Sequence, residues 1–334
     1  MAKIAIAAPL RPSANSGNDV TAARWAHHLD ALGHETDVVP VSENFAEVAS
    51  HAADELGRAD LLIALHARRS AAAASWWKEH RPGRPLIVGL AGTDLYKDMP
   101  DSVRASATIS LSDALIVLQA DAVERLHGFE PAWAEKAAVI HQSVSHVLPP
   151  RDPAHGEFRV VVLAHLRDIK DPLLAARAAS RLGPKSRVVV HHAGRAHDDH
   201  WQRAAESEER TNDRYIWHRE LNAQDALALL ASAHVLACTS LSEGGANVVT
   251  EAIALGIPVI GTRIGGNTGL LGSDHPGWIP VGDDAALAEL FTDLERHPSA
   301  LAELEQRSIQ HQSITDPSTE RGALEQLVTR VLSG

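Results

Sequence analysis

Residues 240–252 read SLSEGGANVVTEA and follow a short apolar run, His234–Cys238. Two glycines, Gly244 and Gly245, stand where the chain passes from this predicted strand into a predicted helix that ends at Gly256. Because glycine has no Cβ, backbone N–H groups at the start of the helix can approach an anion closely. A strand, a glycine-rich turn and a helix in this order indicate one unit of a parallel α/β sheet.

The same alternation of strand and helix continues along the whole chain. Short apolar runs are separated by longer amphipathic segments such as Val20–Leu32, and the sequence from about Asp284 is helical with a break near Asp316. The predicted strands are 4–8, 36–39, 61–65, 86–90, 114–117 and 138–140, then 159–164, 187–191, 215–217, 234–238, 258–261 and 278–281. Continuous apolar strands between helices are typical of parallel sheets covered on both faces.

Residues 149–156 read PPRDPAHG and interrupt the alternation, since three prolines and a glycine exclude a helix or an inner strand. We therefore predict two Rossmann-like domains, residues 1–148 and 157–315. Residues 316–334 form a C-terminal helix that we expect to return toward the first domain. The expected fold class is α/β, with two parallel sheets that face a central cleft, because ligands bind at the carboxyl ends of such strands.

The composition excludes several classes of protein. With 31 basic and 43 acidic side chains among 334 residues, the formal charge is −12, which argues against a nucleic-acid binder or a polybasic membrane binder. The single cysteine, Cys238, excludes an internal disulfide and a thiolate metal site. No apolar run approaches the length of a membrane span, and the segment 1–9 is too short for a signal peptide, so we expect a cytoplasmic protein.

Two common nucleotide motifs are missing. The turn after the first predicted strand, residues 9–18, lacks Gly-x-Gly-x-x-Gly, and no phosphate-loop motif occurs, which argues against a dehydrogenase and a phosphate-loop kinase. The pair Glu243 and Glu251 is more informative. Inside the predicted helix, Glu251 could accept hydrogen bonds from a ribose diol, and Glu243 on the preceding loop could hold sugar hydroxyls. The alternative is that both glutamates are solvated charges.

The two-domain pattern resembles the GT-B type glycosyltransferases of family 4. The second domain, in which Glu243 and Glu251 lie on either side of a Gly-Gly helix start, resembles their nucleotide-sugar half. The matching diphosphate loop is AHLRDIKDP, residues 164–172. Here Lys170 matches the lysine of the family, whereas His165 stands at the position of its usual arginine, so we favour Arg167 as the second cation. The resemblance implies a donor site formed by Arg167, Lys170, Glu243, Gly244, Gly245, Ala246, Asn247 and Glu251. It implies that Arg167 and Lys170 assist catalysis by neutralising the departing diphosphate, and that neither a metal nor another cofactor is needed.

A narrower resemblance extends over nearly the whole chain. The stretches that carry it are GNDVTAARWA (17–26), LHARRS (65–70), GTDLY (92–96), HLR (165–167), EGGAN (243–247) and IGGNTGLLG (264–272). Together they resemble the selenosugar synthases of selenoneine biosynthesis. The resemblance implies transfer of a hexose from UDP-N-acetylglucosamine or UDP-glucose to selenophosphate, which gives a 1-selenosugar, UDP and phosphate. The alternatives are a GT-B glycosyltransferase with an ordinary hydroxyl acceptor and a two-domain binding protein without catalysis.

A selenophosphate acceptor would need a cationic pocket, because it is a multiply charged anion whose selenium is already a strong nucleophile. We expect this pocket on the first domain, where His66, Arg68 and Arg69 follow the strand 61–65. The candidate acceptor residues are Gly17, Asn18, Thr21, Arg24, His66, Arg68, Arg69, Thr93 and Asp94. We expect His66 to orient phosphate or carry a proton, and a buried structural histidine is the alternative. In an acidic chain these arginines, with Arg167 and Lys170, would have to form a local positive field.

Overall fold

The computed structural model describes residues 1–9, 17–42, 49–99 and 101–334. The chain divides into two compact units. The first comprises Met1–Ser145 together with Asp316–Gly334, and the second comprises His146–Thr315. The predicted domains end and begin on either side of the proline-rich segment 149–156. In the structure, this segment lies within the second unit.

The first unit is built on a six-stranded sheet in which all paired strands are parallel. Its strands are β1 (Lys3–Ala8), β2 (Glu35–Pro40), β3 (Leu61–Leu65), β4 (Leu86–Gly89), β5 (Ala114–Val117) and β6 (Ala137–Val139), in the order β2-β1-β3-β4-β5-β6. The helices are α1 (Gly17–Ala31), α2 (Ala49–Arg58), α3 (Ala71–His80), α4 (Val103–Leu111), α5 (Asp121–Phe129) and α6 (Pro131–Glu135). A π-helical turn, Asp94–Asp98, follows β4. Apolar clusters that include Trp77 and Trp25 form the core of this unit.

The second unit repeats this construction with another parallel six-stranded sheet. Its strands are β7 (Phe158–Leu163), β8 (Val188–Ala193), β9 (Tyr215–Trp217), β10 (Val235–Cys238), β11 (Val259–Thr262) and β12 (Trp278–Ile279), in the order β9-β8-β7-β10-β11-β12. The helices are α7 (Leu174–Ser180), α8 (Asp199–Thr211), α9 (Ala223–Ala231), α10 (Asn247–Ala254), α11 (Gly265–Leu271), α12 (Asp284–Arg296) and α13 (Pro298–Gln310). Short 3₁₀ turns lie at Asp168–Lys170 and Gln312–Thr315.

The predicted fold class is confirmed, and all twelve predicted strands are present. β3, β5 and β9 have the predicted bounds, and the other strands differ at their ends by one or two residues. The strands were recognisable because strands such as β3 and β5 are buried along their whole length and are therefore apolar throughout. A helix break at His297, where Pro298 begins α13, was not indicated by the sequence pattern. Among the described residues, no helix is both long and apolar enough to cross a membrane.

Each sheet has one position where the strand order reverses, between β1 and β3 in the first unit and between β7 and β10 in the second. At such a position the neighbouring strands continue into connections that run to opposite sides of the sheet. The loops after these two strands therefore diverge and leave a crevice at the carboxyl edge. The loops that follow β7 and β10 contain Arg167, Lys170 and Glu243, which were predicted to bind a ligand.

The last helix, α14 (Pro317–Ser333), belongs to the first unit and is anchored by a buried carboxylate. Glu320 accepts hydrogen bonds from Arg24 Nε (2.9 Å), Trp25 Nε1 (2.9 Å) and the backbone N–H of Ser143 (2.8 Å). Burial by itself raises the pKa of Glu320, but hydrogen bonds from His28 and Ser143 and the charge of Arg24 outweigh it and hold the pKa below its usual value. This carboxylate joins α14 to α1 and to the segment after β6.

We expect Glu320→Ala to destabilise the first unit by about 3–5 kcal/mol, because it leaves the buried Arg24 guanidinium without its counter-charge. Denaturant unfolding followed by circular dichroism measures this change. The control, Glu325→Ala, removes an exposed carboxylate from the same helix and should change the free energy of unfolding by less than about 0.5 kcal/mol. Equal effects of the two substitutions would contradict the anchoring role of Glu320.

Candidate functional site

A pocket lies at the carboxyl edge of the second sheet, where β7 and β10 are neighbours. One wall is formed by the end of β7 and by Lys170, and the other by the end of β10 and by Val248 of α10. Residues that line it are Val162, Leu163, Ala164, Lys170, Ala237, Cys238, Thr239, Ser240 and Val248. The lining combines apolar side chains of the strand ends with the polar residues Lys170, Thr239 and Ser240.

Two predicted ligand-binding residues form an ion pair at this pocket. The Lys170 ammonium contacts Glu243 Oε1, and the same oxygen accepts a hydrogen bond from Ser240 Oγ at 2.6 Å. The Lys170 and Glu243 side chains are 16% and 13% exposed, so water screens the pair only in part. The structure thus brings these two residues together, and each is already held by the other.

Two hydroxyl residues that the sequence pattern did not single out fix this arrangement. Thr239 Oγ1 lies 3.0 Å from the carbonyl oxygens of both Lys170 and Asp171, and Ser240 holds Glu243. The backbone N–H of Leu241 also donates to the carbonyl of Ile169 at 2.8 Å. The loop after β10 therefore positions the turn that contains Lys170. The only signal in the sequence is a polar pair directly after a buried strand.

The start of α10 is suited to an anion. The helix begins at Asn247, and its N-cap residue is Ala246, whose methyl group cannot accept a hydrogen bond from the first turn. Ala246 thus leaves the N–H groups of that first turn, at the positive end of the helix dipole, without the side-chain cap that an N-cap residue commonly provides. Gly244 and Gly245 are half-buried in the turn just before it. The predicted segment 244–247 thus forms an uncapped helix N-terminus beside the pocket.

Glu251 lies one turn into α10 and differs in its contacts from Glu243. Among the residues that the structure describes, none forms a hydrogen bond or ion pair with its carboxylate, which is partly buried. Burial raises the pKa of Glu251 to about 7. A carboxylate in this situation gains stability from any hydroxyl donor that reaches it.

Arg167 and His165, the two candidates for the second cation, differ in their charge at neutral pH. Arg167 is exposed, and within the described part of the chain its guanidinium has no hydrogen-bond or ion-pair partner. Desolvation lowers the pKa of His165, and the charges of Arg195, Arg167 and Lys170 lower it further. His165 is therefore neutral at pH 7, which favours Arg167 as the cation of this loop.

The glycine pair at the start of α11 supports the loop that contains Glu243. A Cβ on Gly266 would lie 2.2 Å from the carbonyl oxygen of Glu243 and 2.6 Å from its Cβ. Only glycine permits so close an approach of α11 to that backbone. Asn267 is buried in the next position and donates to the carbonyl of Thr262 at 2.9 Å. This segment fixes the position of Glu243.

In the first unit, His66 follows β3 and is almost fully buried, with a left-handed backbone at φ 72°. Its Nδ1 lies 2.7 Å from Asp94 Oδ1, and its Nε2 lies 2.9 Å from Thr93 Oγ1. Asp94 also accepts backbone N–H bonds from Ala67 (3.1 Å), Arg68 (3.2 Å) and Ala91 (2.9 Å). The predicted ligand residue Asp94 is thus buried, and it orients His66 and the turn after β3.

Arg68 and Arg69 lie beside this dyad and are half-buried. Arg68 Nε donates to Asp98 Oδ2 at 2.8 Å, and the backbone N–H of Arg69 lies 3.4 Å from His66 Nδ1. His66, Asp94 and Asp98 have ligand atoms within 4.8 Å of one another, a spacing that a metal ion could bridge. In this structure they bind each other, Thr93 and Arg68 instead.

The other predicted residues of the first unit belong to α1. Gly17 and Asn18 are its first two residues, after the segment 10–16, which lies outside the described residues. Thr21 Oγ1 lies 3.4 Å from Gln142 Oε1, and Arg24 Nη2 donates to the same oxygen at 3.1 Å. Since Arg24 also binds Glu320, the structure places its guanidinium in the anchor of α14.

Comparison with known proteins adds to this geometry. Residues 149–311 match the family described as "Glycosyl transferases group 1". The chain is 25% identical over 296 residues to "Glycosyltransferase 1 domain-containing protein 1" of Xenopus tropicalis, covering 82% of each chain. Its fold is similar to that of HepE of Anabaena in complex with UDP-glucose, at a TM-score of 0.78 and 14% identity over 99% of this chain and 100% of the other. It is also similar to sucrose-phosphate synthase of Thermosynechococcus elongatus, at a TM-score of 0.77 and 14% identity over 99% of each. These likenesses confirm the GT-B architecture expected from the sequence.

Proposed function

We propose that this chain, a glycosyltransferase whose residues 149–311 match the glycosyltransferase group 1 family, transfers N-acetylglucosamine or glucose from a UDP-sugar to selenophosphate. The product is a 1-selenosugar. The observation that carries the donor assignment is the carboxyl edge of β7 and β10, where Lys170 lines a pocket together with Val248 of α10 and forms an ion pair with Glu243. Similar folds have been solved with UDP-glucose and with UDP.

On the donor side, the role of each group follows from its chemistry. Lys170, Arg167 and the N–H groups at the start of α10 neutralise the negative charge that develops on the departing diphosphate. Glu251, which lacks a partner among the described residues, accepts hydrogen bonds from the ribose hydroxyls. Glu243 accepts them from the hexose, and so places the anomeric carbon.

On the acceptor side, selenium forms a bond to the anomeric carbon while the bond from that carbon to the diphosphate oxygen breaks. UDP leaves with the electron pair, and water then cleaves the selenium–phosphorus bond to release phosphate. Arg68 and Arg69 bind the phosphate oxygens, since guanidinium groups suit them well. His66, oriented by Asp94, exchanges its Nε2 contact with Thr93 for one with the same phosphate. Arg24 and Asp94 act through the positions of other groups, because both are held in buried networks.

We propose that the reaction needs no metal ion. The cations of the donor site supply the charge that a bridging metal would otherwise provide. The cluster of His66, Asp94 and Asp98 serves to orient Arg68 and the turn after β3, since each member already has a protein partner. Activity should therefore persist in a chelator such as EDTA.

Incubation of the chain with UDP-N-acetylglucosamine or UDP-glucose and selenophosphate tests the reaction directly. We expect UDP and a selenium-containing sugar in equal amounts by liquid chromatography and mass spectrometry, with and without EDTA. Release of UDP only when a hydroxyl acceptor such as a sugar alcohol is added would overturn selenophosphate as the acceptor while leaving a glycosyltransferase.

Donor binding should depend on the ionisation of Glu251. The ionised carboxylate accepts hydrogen bonds from both ribose hydroxyls, and its pKa of about 7 means that it ionises as the pH rises from 6 to 8. Since the diphosphate diester of UDP-N-acetylglucosamine does not titrate there, its affinity should rise about tenfold over this range. Isothermal titration calorimetry measures the dissociation constants, and Glu251→Gln should give weaker, pH-independent binding. Equal pH dependence in the variant would contradict this role.

Arg68→Ala should raise the KM for selenophosphate by about tenfold or more, through loss of charged hydrogen bonds to the phosphate. The dissociation constant of UDP-N-acetylglucosamine should not change, because the donor residues lie in the other unit. Arg84→Ala is the matched control, since Arg84 precedes β4 at the amino edge of the same sheet and pairs with Asp60 at 3.0 Å. A selenophosphate KM that is the same in both variants would remove Arg68 from the acceptor site.

A further inference from the structure

Glu243 forms an ion pair with Lys170, so the cation assigned to the diphosphate is already neutralised. We propose that Glu243 makes the site discriminate between a UDP-sugar and UDP, by releasing Lys170 at low cost only when a hexose is present. This inference rests on the proposed function of the site. It assigns to Glu243 a role in specificity for the intact donor and in the release of the product.

The Glu243 carboxylate is fixed independently of Lys170. Ser240 Oγ donates to it at 2.6 Å, and Ser240 is itself buried, with its carbonyl accepting a hydrogen bond from Thr262 Oγ1 at 2.5 Å. Gly266 allows α11 to lie directly against the Glu243 backbone. The negative charge therefore stays beside the pocket when Lys170 turns toward a ligand.

The two ligands differ in what they offer this fixed carboxylate. UDP attracts Lys170 through its phosphates, but it leaves the largely desolvated Glu243 with Ser240 as its one hydrogen-bond partner among the described residues, and it faces Glu243 with like charge. A UDP-hexose brings the same phosphates together with hydroxyl donors that replace the lost N–H of Lys170. Glu243 therefore weakens the binding of UDP more than that of the UDP-hexose.

The same difference between the two ligands favours the release of UDP after the hexose has been transferred. When the hexose has been transferred, its hydroxyls no longer occupy Glu243, and the carboxylate competes with the diphosphate for Lys170. The ion pair forms again as UDP leaves. Ser240 acts here as a positioning residue, since it contacts Glu243 and keeps the carboxylate where both competitors meet.

Glu243→Gln in the full chain tests the inference, with dissociation constants for UDP and UDP-N-acetylglucosamine measured by isothermal titration calorimetry. We expect UDP to bind about five- to tenfold more tightly than to the wild type, since neutralising one partner frees Lys170 and removes a like charge. The preference for UDP-N-acetylglucosamine over UDP should fall. Unchanged or weaker binding of UDP would overturn the inference.

Glu305→Gln is the matched control. It neutralises another partly buried glutamate of the second unit, which pairs with Arg151, and it should leave both dissociation constants unchanged. A similar gain in UDP affinity in this control would show an effect of net charge alone and would overturn the inference.

Ser240→Ala gives an independent test that retains both charges. Loss of the hydroxyl lets the Glu243 side chain move, so UDP-N-acetylglucosamine should bind several-fold more weakly while UDP binding is unchanged. Equal weakening of both ligands would indicate general damage to the loop and would count against the positioning role. A wild-type chain that binds neither ligand would instead contradict the proposed function itself.

Discussion

All paired strands in both sheets run parallel, and the chemistry of the molecule depends on this constraint. Parallel strands bring their carboxyl ends to one edge, so residues far apart in sequence meet there. In the second unit, β7 and β10 are neighbours, and their loops bring Lys170 and Glu243 together across 73 residues. In the first unit, β3 and β4 likewise bring together His66 and Asp94.

The fold could be predicted from the sequence because its signal is local. Strands such as β3 and β5 are buried throughout, and the loops at their ends contain glycine, proline or polar residues. The contacts within the sites could not be predicted in the same way, because they depend on the order of the strands. Nothing local indicates that Lys170 pairs with Glu243, or that Arg24 pairs with Glu320 across 296 residues.

The direction in which a side chain points could not be predicted from the sequence either. Asp94 follows a strand at the edge where ligands bind, so its position predicted a contact with an anion. The structure instead buries it under three backbone N–H groups and His66, where a carboxylate is satisfied without a ligand. By contrast, the start of α10 and the position of Glu251 within that helix were visible in the spacing SLSEGGANVVTEA.

In this acidic chain, with a net charge of −12, several cations are already paired with carboxylates. Of the cations predicted to form a positive field, Arg24, Arg68 and Lys170 each bind a carboxylate of the same chain. An anion that binds Lys170 must therefore compete with Glu243, and this competition is the basis of the donor selectivity proposed above.

A crystal structure of the chain with UDP-N-acetylglucosamine tests the proposed donor site most directly. It should show the ribose hydroxyls within about 3 Å of Glu251 and the diphosphate at Lys170 and the start of α10. Nucleotide bound away from the β7–β10 edge would contradict the account.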